Sequence, residues 1–276
     1  MDQASGRLGW EAHLKVSVLF TVKNGSAWID QCLDTVRSQT TKAAQVVIVD
    51  DGSIDETLSK VEQYIQRHPD FPVELIKTAG VGRAKALNIA WRSCSSEILA
   101  NIDVDDSWHE RKLEMQTSIL LERNADFVTT SAEITNVDGV SLPSREMRGD
   151  WRLWRDEDFF VTNPIIHSSF LARKSVFEQC SGYSEGLSRH IDYDMWIRVL
   201  SVGLVGVNLN DRLTIKRLHA GQSFEARQRM SYIWTSFLMK CHAIRALNAP
   251  SQYYLLATAT SMFSLLPRPL RRLLKS

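Results

Sequence analysis

The sequence predicts an α/β protein with a mostly parallel, doubly wound sheet, helices on both faces and a helical C-terminal extension. Two observations carry this prediction: short runs of β-branched and large apolar residues recur over the first 131 residues, and segments with helical spacing separate them. The chain has 276 residues, 44% of them hydrophobic and 24% charged, a composition that excludes disordered and low-complexity proteins.

The predicted strands of the first half are apolar runs without polar alternation, which is typical of strands covered on both faces. They lie over residues 15–22 (KVSVLFTV), 45–50 (QVVIVD), 73–76, 98–102 (ILANI) and 127–131. Helices are expected between them over residues 27–38, 83–92 and 109–123, and after a capping box formed by Ser53 and Glu56.

The pattern changes after residue 131. Asp138-Gly139 is a hairpin turn signal between short strands, and the Trp-rich segment 149–160 is expected to form a short helix or lid. The spacing of Trp151 and Trp154 in that segment favours a packing face over ligand stacking. Further strands are predicted over 169–172 and 204–209, and helices over 192–202, 225–247 and 251–266.

Charge divides the chain unevenly. Residues 1–225 carry 25 basic and 32 acidic side chains, whereas residues 226–276 carry eight basic and no acidic ones. We therefore expect an N-terminal tail (1–14), a main domain (15–224, with halves 15–131 and 132–224) and a basic helical extension (225–276). The extension is too polar to span a bilayer, so it is expected at an anionic membrane surface through Arg268, Arg271, Arg272 and Lys275.

The cysteines indicate the cellular compartment. Cys32, Cys94, Cys180 and Cys241 are far apart and form no CxxC pair, which favours reduced thiols over a disulfide framework or a zinc site. The N-terminal residues lack the apolar core of a signal peptide. The sequence thus predicts a cytoplasmic protein, with peripheral attachment to the inner face of the cell membrane as a further expectation.

Three groups of polar residues follow predicted strands, where ligands bind to doubly wound sheets. Asp50 ends the second strand, and a carboxylate beside a buried strand needs a partner, so it is a candidate for binding a nucleobase or ribose. Asp51 and Ser53 beside it fit either a ligand site or a solvated turn that leads into a helix cap.

The segment Gly80-Val81-Gly82-Arg83-Ala84-Lys85 precedes a predicted helix. Gly82 permits close approach of a phosphate, and Arg83 and Lys85 would suit a diphosphate. The segment does not match the dinucleotide fingerprint, and the absence of GxxxxGK[ST] from the chain excludes a P-loop hydrolase.

Asp103-Val104-Asp105-Asp106 directly follows ILANI. Alternate residues of an extended segment point the same way, so Asp103 and Asp105 can converge on one ligand. Oxygen ligands favour Mg²⁺ or Mn²⁺ shared with substrate phosphates. The alternative, an acidic helix N-terminus, explains Asp106 better than Asp103.

Five segments in order, VSVLFTVKN, VVIVDDGSID, GVGRAKALNIA, NIDVDD and IDYDMWIR, resemble family 2 glycosyltransferases with the GT-A fold. The similarity extends from about Val16 to about His219. It implies transfer of a sugar from a nucleotide-sugar, with UDP-sugars the family's commonest donors, to a saccharide or lipid-linked acceptor in bacterial surface polysaccharide assembly. The transfer would invert the anomeric carbon and need Mn²⁺ or Mg²⁺, and no nucleic acid partner is implied.

The resemblance also implies roles for single residues. Thr21, Asp50 and Asp103 would bind the nucleoside, Asp105 would hold the metal ion on the diphosphate, and Asp192 would be the catalytic base. His167, in a segment similar to a family loop near the donor sugar, would bind the donor, and His219, in Arg217-Leu218-His219, would reach the metal or diphosphate. A structural role is the alternative for both histidines. Ile191 replaces the family's usual Glu, Asp194 fits a helix-cap acid, and Trp196 fits the core.

Two other functions remain open at the level of the sequence. A catalytically silent module that binds nucleotide-sugar or polysaccharide would have no need to keep Asp103, Asp105 and Asp192. A sugar-1-phosphate nucleotidyltransferase would need a Gly-rich basic loop after the first strand, where VKNGSAWID offers one Gly and one Lys.

Overall fold

A mixed sheet of nine strands runs through the part of the chain that the computed structural model describes, residues 14–142, 149–219 and 229–266. The strands are β1 (Val16–Val22), β2 (Gln45–Asp50), β3 (Val73–Lys77), β4 (Ile98–Asn101), β5 (Ser107–Trp108), β6 (Phe127–Thr135), β7 (Trp151–Leu153), β8 (Leu171–Arg173) and β9 (Gly206–Arg217). The helices are α1 (Ile29–Arg37), α2 (Thr57–Arg67), α3 (Arg83–Ser93), α4 (Lys112–Glu122), α5 (Asp156–Phe159), α6 (Lys174–Gln179), α7 (Ile191–Ser201), α8 (Arg229–Ala246) and α9 (Gln252–Leu265).

Four strands form the parallel part of the sheet in the order β3-β2-β1-β4. Val22 pairs with Asp50 and Leu19 with Asn101, so β1, β2 and β4 end at the same edge. This arrangement confirms the predicted α/β sheet. It also brings the polar residues that follow these strands together, as expected for a ligand site.

The rest of the sheet departs from a purely parallel arrangement. Strand β8 lies antiparallel between β4 and β6, and β9 runs parallel to β6 beyond it. Strand β6 runs from Phe127 to Thr135 and so crosses the predicted boundary at residue 131. The two predicted halves of the main domain, residues 15–131 and 132–224, therefore share one sheet. An apolar run predicts a strand but not its direction, which depends on the strands with which it pairs, here β4 and β6.

Both faces of the parallel strands are buried, which explains their uninterrupted apolar sequences. On one face, Leu19, Val47 and Val49 pack with residues of α3 and α7. On the other face, Val18, Phe20 and Ile48 pack with residues of α1, α2 and α4. Helix α8 also joins the core through Met239, Ala243 and Ile244, as does Leu247 just after it, and the helix packs against α7.

Several local predictions were wrong. The capping box does not form: Ser53 Oγ instead accepts a hydrogen bond from the Asn24 amide at 2.9 Å, and α2 begins four residues later. Helix α4 starts at Lys112 instead of residue 109. Segment 149–160 contains the expected short helix, α5, but also the strand β7, which was not predicted. Trp154, between these two elements, packs in the core. Helix α6 was not predicted either.

The predicted turn at Asp138-Gly139 is present, since Gly139 has φ of 76° and Thr135 bridges Ser141. The four cysteines are all free thiols, and three of them are buried. Over the described residues, every helix is too short or too polar to cross a bilayer.

Gly206 at the start of β9 is expected to be intolerant of a side chain. A Cβ atom there would overlap the buried ring of Phe127, which itself stacks on Trp196 with ring centroids 4.9 Å apart. We predict that Gly206→Ala lowers the free energy of unfolding by about 1–3 kcal/mol, because the packed rings have no space to move. Urea denaturation measures this. Gly186→Ala, with open space around the new Cβ, is the matched control, and equal stability losses in the two variants would contradict the prediction.

Candidate active site

Asp103 is the centre of a charged cluster at the end of β4. Its Oδ1 accepts a hydrogen bond from Arg83 Nη2 at 2.7 Å and lies 3.1 Å from His167 Nδ1. The Asp103 amide donates to Ser168 Oγ at 2.9 Å. Burial alone would raise the pKa of Asp103, but Arg83 and His167 hold it well below its ordinary value. Asp103 is therefore a charged carboxylate at neutral pH.

His167 joins this cluster to the second half of the chain. The residue is 6% exposed, and its Nε2 lies 2.9 Å from the Tyr183 hydroxyl. Its Nδ1 lies 2.9 Å from Asn101 Nδ2 as well as near Asp103. Both ring nitrogens thus have protein partners, which fixes the ring beside Asp103 and Arg83.

Asp105 and His219, for which the resemblance implies contact with a metal ion, lie side by side. Asp105 Oδ2 lies 3.0 Å from His219 Nε2, and the two side chains are 18% and 20% exposed. The ring of Trp28 lies 5.5 Å from that of His219, and the Arg217 guanidinium lies over the Trp28 ring at 4.5 Å. The end of β9 is thereby anchored over the acidic segment.

Asp106 serves as a connector, contrary to its expected place at a helix N-terminus. It is 1% exposed, accepts a hydrogen bond from Ser168 Oγ and accepts another from the Arg217 amide at 3.1 Å. Burial raises its pKa to about 7; Lys216 opposes this shift, whereas Asp103 and Asp105 add to it. The residue ties the acidic segment to both the 3-10 turn and β9.

Asp50 is buried at the end of β2, and one of its two carboxylate oxygens has hydrogen-bond partners. Oδ1 accepts hydrogen bonds from the Gly52 and Ser53 amides at 3.1 and 2.9 Å. Oδ2 has no hydrogen-bond partner among the described residues, although it is buried. A buried acceptor without a partner is costly, so this oxygen is suited to a ligand. Thr21, partly buried, is the next-to-last residue of the neighbouring strand β1.

Asp51 is not a solvated turn residue. It is 6% exposed and accepts hydrogen bonds from Thr78 Oγ1 at 2.8 Å and from the Val81 and Gly82 amides at 2.6 and 3.0 Å. Gly82, with φ of 91°, then begins α3. Asp51 thus holds the loop that presents Arg83, whereas Lys85 lies exposed on the first turn of α3.

Asp192 lies in the first turn of α7, next to the cluster. Its Oδ2 accepts a hydrogen bond from Asn163 Nδ2 at 2.8 Å, a contact that the sequence alone did not indicate. The Arg83 guanidinium is about half exposed, and its pKa is raised chiefly by Asp103 and also by Asp192, so both carboxylates are near it. The structure thereby brings the predicted base close to the predicted donor site.

Asp194 has a different environment. It is 8% exposed, and its Oδ2 accepts hydrogen bonds from Ser184 Oγ at 2.7 Å and from Arg198 Nε at 2.9 Å. Arg198 also donates to the carbonyl groups of Cys180 and Gly182. Asp194 lies in the first turn of α7, as expected, and its carboxylate ties the loop before the helix to Arg198. Trp196 is fully buried, also as expected.

Sequence reasoning missed four residues that build the site: Asn101, Asn163, Ser168 and Tyr183. Asn163 and Ser168 flank His167 in NPIIHSS, a segment that resembles the family, so that motif was the available signal. Asn101 ends the apolar strand β4 and is fully buried, which is the same signal that singled out Asp50. Nothing local marks Tyr183.

A family model, glycosyl transferase family 2, matches residues 17–181. That stretch includes the residues from Thr21 to His167 and ends before Asp192 and His219. The match covers more than half of the chain.

Curated relatives are glycosyltransferases. The chain is 28% identical over 210 residues to the amylovoran biosynthesis glycosyltransferase AmsE of Erwinia amylovora, covering 73% of this chain and 74% of that protein. It is 26% identical over 249 residues to the putative glycosyltransferase EpsE of Bacillus subtilis, covering 87% and 86% of the two chains.

Solved structures share the fold. S. aureus TarS 1–349 in complex with UDP-GlcNAc matches with a TM-score of 0.67 at 17% identity, covering 85% of this chain and 70% of that one. The mannosyltransferase PcManGT from Pyrobaculum calidifontis, in complex with GDP-Man and Mn²⁺, matches with a TM-score of 0.64 at 20% identity, covering 96% and 80%. The architecture is the expected GT-A fold, and the chain belongs to glycosyl transferase family 2 and is a glycosyltransferase.

Proposed function

We propose that this protein is an inverting glycosyltransferase that moves a sugar from a nucleoside diphosphate-sugar to an acceptor hydroxyl during surface polysaccharide assembly. The observation that carries the proposal is the convergence of the Asp103–Arg83–His167 cluster, the Asp105–His219 pair and Asp192 at the carboxyl edge of the parallel strands. The name of AmsE, which refers to amylovoran biosynthesis, supports the choice of pathway class.

The donor would lie across the ends of β1, β2 and β4. The unpartnered Oδ2 of Asp50 and the side chain of Thr21 are suited to the nucleobase and ribose, with Asp103 on the ribose. Gly82, Arg83 and Lys85 would face the diphosphate, where the half-exposed guanidinium of Arg83 can balance the charge that develops on the leaving group. His167 would lie near the transferred sugar.

The residues present fit a divalent metal. Asp105 and His219 offer one carboxylate and one imidazole whose Oδ2 and Nε2 atoms lie 3.0 Å apart, and Asp103 and Asp106 are in the same acidic segment. Within the described ranges no cluster of three metal-ligating side chains exists, so a bound ion would complete its shell with diphosphate oxygens and water, as Mg²⁺ and Mn²⁺ readily do. When bound, the ion would neutralise charge on the departing diphosphate.

Asp192 would act as the general base in a single displacement. The acceptor oxygen bonds to the anomeric carbon as the bond to the diphosphate breaks; the bonding electrons leave with the diphosphate, and the hydroxyl proton passes to Asp192. Asn163 holds Oδ2 of the carboxylate, which orients the other oxygen toward the proton. The chemistry requires no covalent enzyme intermediate.

The loop after β1 gives little support to a nucleotidyltransferase. The Gly25 amide donates to Thr57 Oγ1 at 2.8 Å and the Ser26 amide to Asp55 Oδ2 at 3.2 Å. These amides are already used to join the loop to the start of α2, so they are not available to cradle a phosphate.

A donor screen tests the proposal. Nucleotide-sugars of different bases are expected to raise the melting temperature more with Mn²⁺ than without it, and one of them should be hydrolysed slowly, with release of the nucleoside diphosphate. Binding without any release of nucleoside diphosphate would instead identify a silent binding module. Release of pyrophosphate from a nucleoside triphosphate and a sugar-1-phosphate would identify a nucleotidyltransferase.

We also propose that the enzyme works in the cytoplasm, at the inner face of the membrane, on a saccharide or lipid-linked acceptor. The free cysteines and the wholly basic C-terminal segment support this location. The four cations predicted to meet lipid headgroups, Arg268, Arg271, Arg272 and Lys275, lie outside the described residues.

A further inference from the structure

The C-terminal hairpin of α8 and α9 has a strongly apolar end. The two helices are antiparallel, and Lys240 Nζ of α8 donates to Thr260 Oγ1 of α9 at 2.9 Å and lies 3.4 Å from Ser261 Oγ. This contact places the first turns of α8 beside the last turns of α9. Five large apolar side chains there, hereafter the apolar end, are 45–68% exposed: Met230, Trp234, Leu238, Met262 and Leu265.

These residues are more than scattered surface apolar groups. Met230, Trp234 and Leu238 follow one another at intervals of four, so they form a stripe along one face of α8. The core-facing residues of the same helix, Met239 and Ala243, are buried. A contiguous apolar surface of this kind marks an interaction site on a protein.

Charge indicates what the apolar end contacts. No acidic residue occurs after Glu225, and the chain leaves α9 at this end to enter the basic sequence PRPLRRLLKS. Apolar side chains that include a Trp, next to Lys and Arg, are typical of segments that lie in the interface of an anionic bilayer. Self-association through this end would bring together two copies of the cation-rich sequence that follows α9, which disfavours a second copy as the partner.

The apolar end also lies beside the acceptor side of the active site. Arg189 Nη1 donates to Ser231 Oγ at 3.2 Å, and the His190 and Tyr232 rings lie 5.0 Å apart. Residues 189 and 190 lie three and two positions before Asp192 in the sequence. A cavity of about 380 Å³ separates this loop from α8, and Leu238 of the apolar end lines it together with His190 and His242.

We propose that the apolar end of the α8–α9 hairpin inserts into the interface of an anionic membrane, and that this docking turns the loop before Asp192 toward the bilayer. The orientation rests on the proposed role of Asp192, whereas the docking does not. An acceptor anchored in the membrane would then present its hydroxyl beside the base, without leaving the lipid surface.

Vesicle flotation of the full chain tests the docking. With vesicles of phosphatidylglycerol and phosphatidylcholine, the double variant Trp234→Ser/Met262→Ser is expected to bind about tenfold more weakly than wild type, because two large apolar groups no longer enter the interface. Leu255→Ser is the matched control: Leu255 is 76% exposed on α9 but lies at the other end of the hairpin. It should bind like wild type.

Three outcomes would overturn the docking: equal binding by all variants, equal binding of wild type to pure phosphatidylcholine vesicles, or a dimer in sedimentation that the double variant abolishes. Circular dichroism and melting curves confirm that the variants are folded. Donor hydrolysis without vesicles is measured in parallel and should not change. Flotation without hydrolysis in wild type would therefore contradict the proposed function alone, and hydrolysis without flotation would contradict the docking alone.

Discussion

Replacement of Asp192 by Asn is expected to lower the rate of sugar transfer by about 10²–10⁴-fold, the usual contribution of a general base. The amide keeps the size of the carboxylate and can still bond to Asn163, but it cannot take a proton from the acceptor. Donor binding should therefore remain close to that of wild type. Single-turnover transfer and calorimetric donor titration separate the two effects.

Asp194→Asn is the paired control. Asp194 bonds to Arg198 and Ser184 next to the loop before α7, so the substitution should lower the melting temperature. The transfer rate of the folded fraction should fall much less than in Asp192→Asn. Asn163→Ala should fall between the two variants, because the base remains but one of its oxygens loses its orienting partner. Should folded Asp194→Asn be silent and Asp192→Asn active, the base would be the other carboxylate.

Asp105→Ala is expected to reduce turnover more than about 100-fold and to remove the increase in donor affinity that Mn²⁺ provides. The remaining His219 imidazole is a single ligand, which is too few to hold the ion beside the diphosphate. Titration of the donor with and without Mn²⁺ measures the effect directly. Equal Mn²⁺ dependence in wild type and Asp105→Ala would show that the metal is held elsewhere.

The control variant for the proposed metal site must keep the hydrogen bonds that Asp106 accepts from Ser168 and the Arg217 amide. Asp106→Asn removes the charge but keeps an acceptor oxygen for the Arg217 amide, so it should cost less activity than Asp105→Ala and preserve the Mn²⁺ effect. A truncation to Ala would also detach Ser168 from the acidic segment and confuse the comparison.

The strands whose ends carry the proposed donor-site residues could be predicted, because burial on both faces requires an uninterrupted apolar run in the sequence. Asp50 and Asp103 were then found at the ends of such strands. Asn163 and Tyr183 could not be found in this way, because their contacts with Asp192 and His167 join residues 29 and 16 positions apart and impose no local pattern. The direction of β8 was missed for the same reason, since it depends on pairing with β4 and β6.

Asp51 illustrates a second limit. Its sequence context, DDGS, is that of an exposed turn, yet its carboxylate is buried because three donors from residues 78–82 converge on it. A turn residue becomes structural only when a distant loop supplies partners, and composition around the turn does not show this. Asp103, His167 and His219 were predicted from motifs, whereas Asn101 and Tyr183, which contact His167, were not.

The position of β8 between β4 and β6 restricts how such an enzyme can be recombined with its relatives. A crossover near residue 131 would cut β6 and leave a donor-binding fragment without the strand that closes β4. Chimaeras that exchange whole halves should therefore be insoluble, whereas grafts confined to the loops at the strand ends keep every strand pair. New donor and acceptor preferences in this lineage are thus more accessible through loop substitutions in 163–169 and 183–190 than through shuffling of domains.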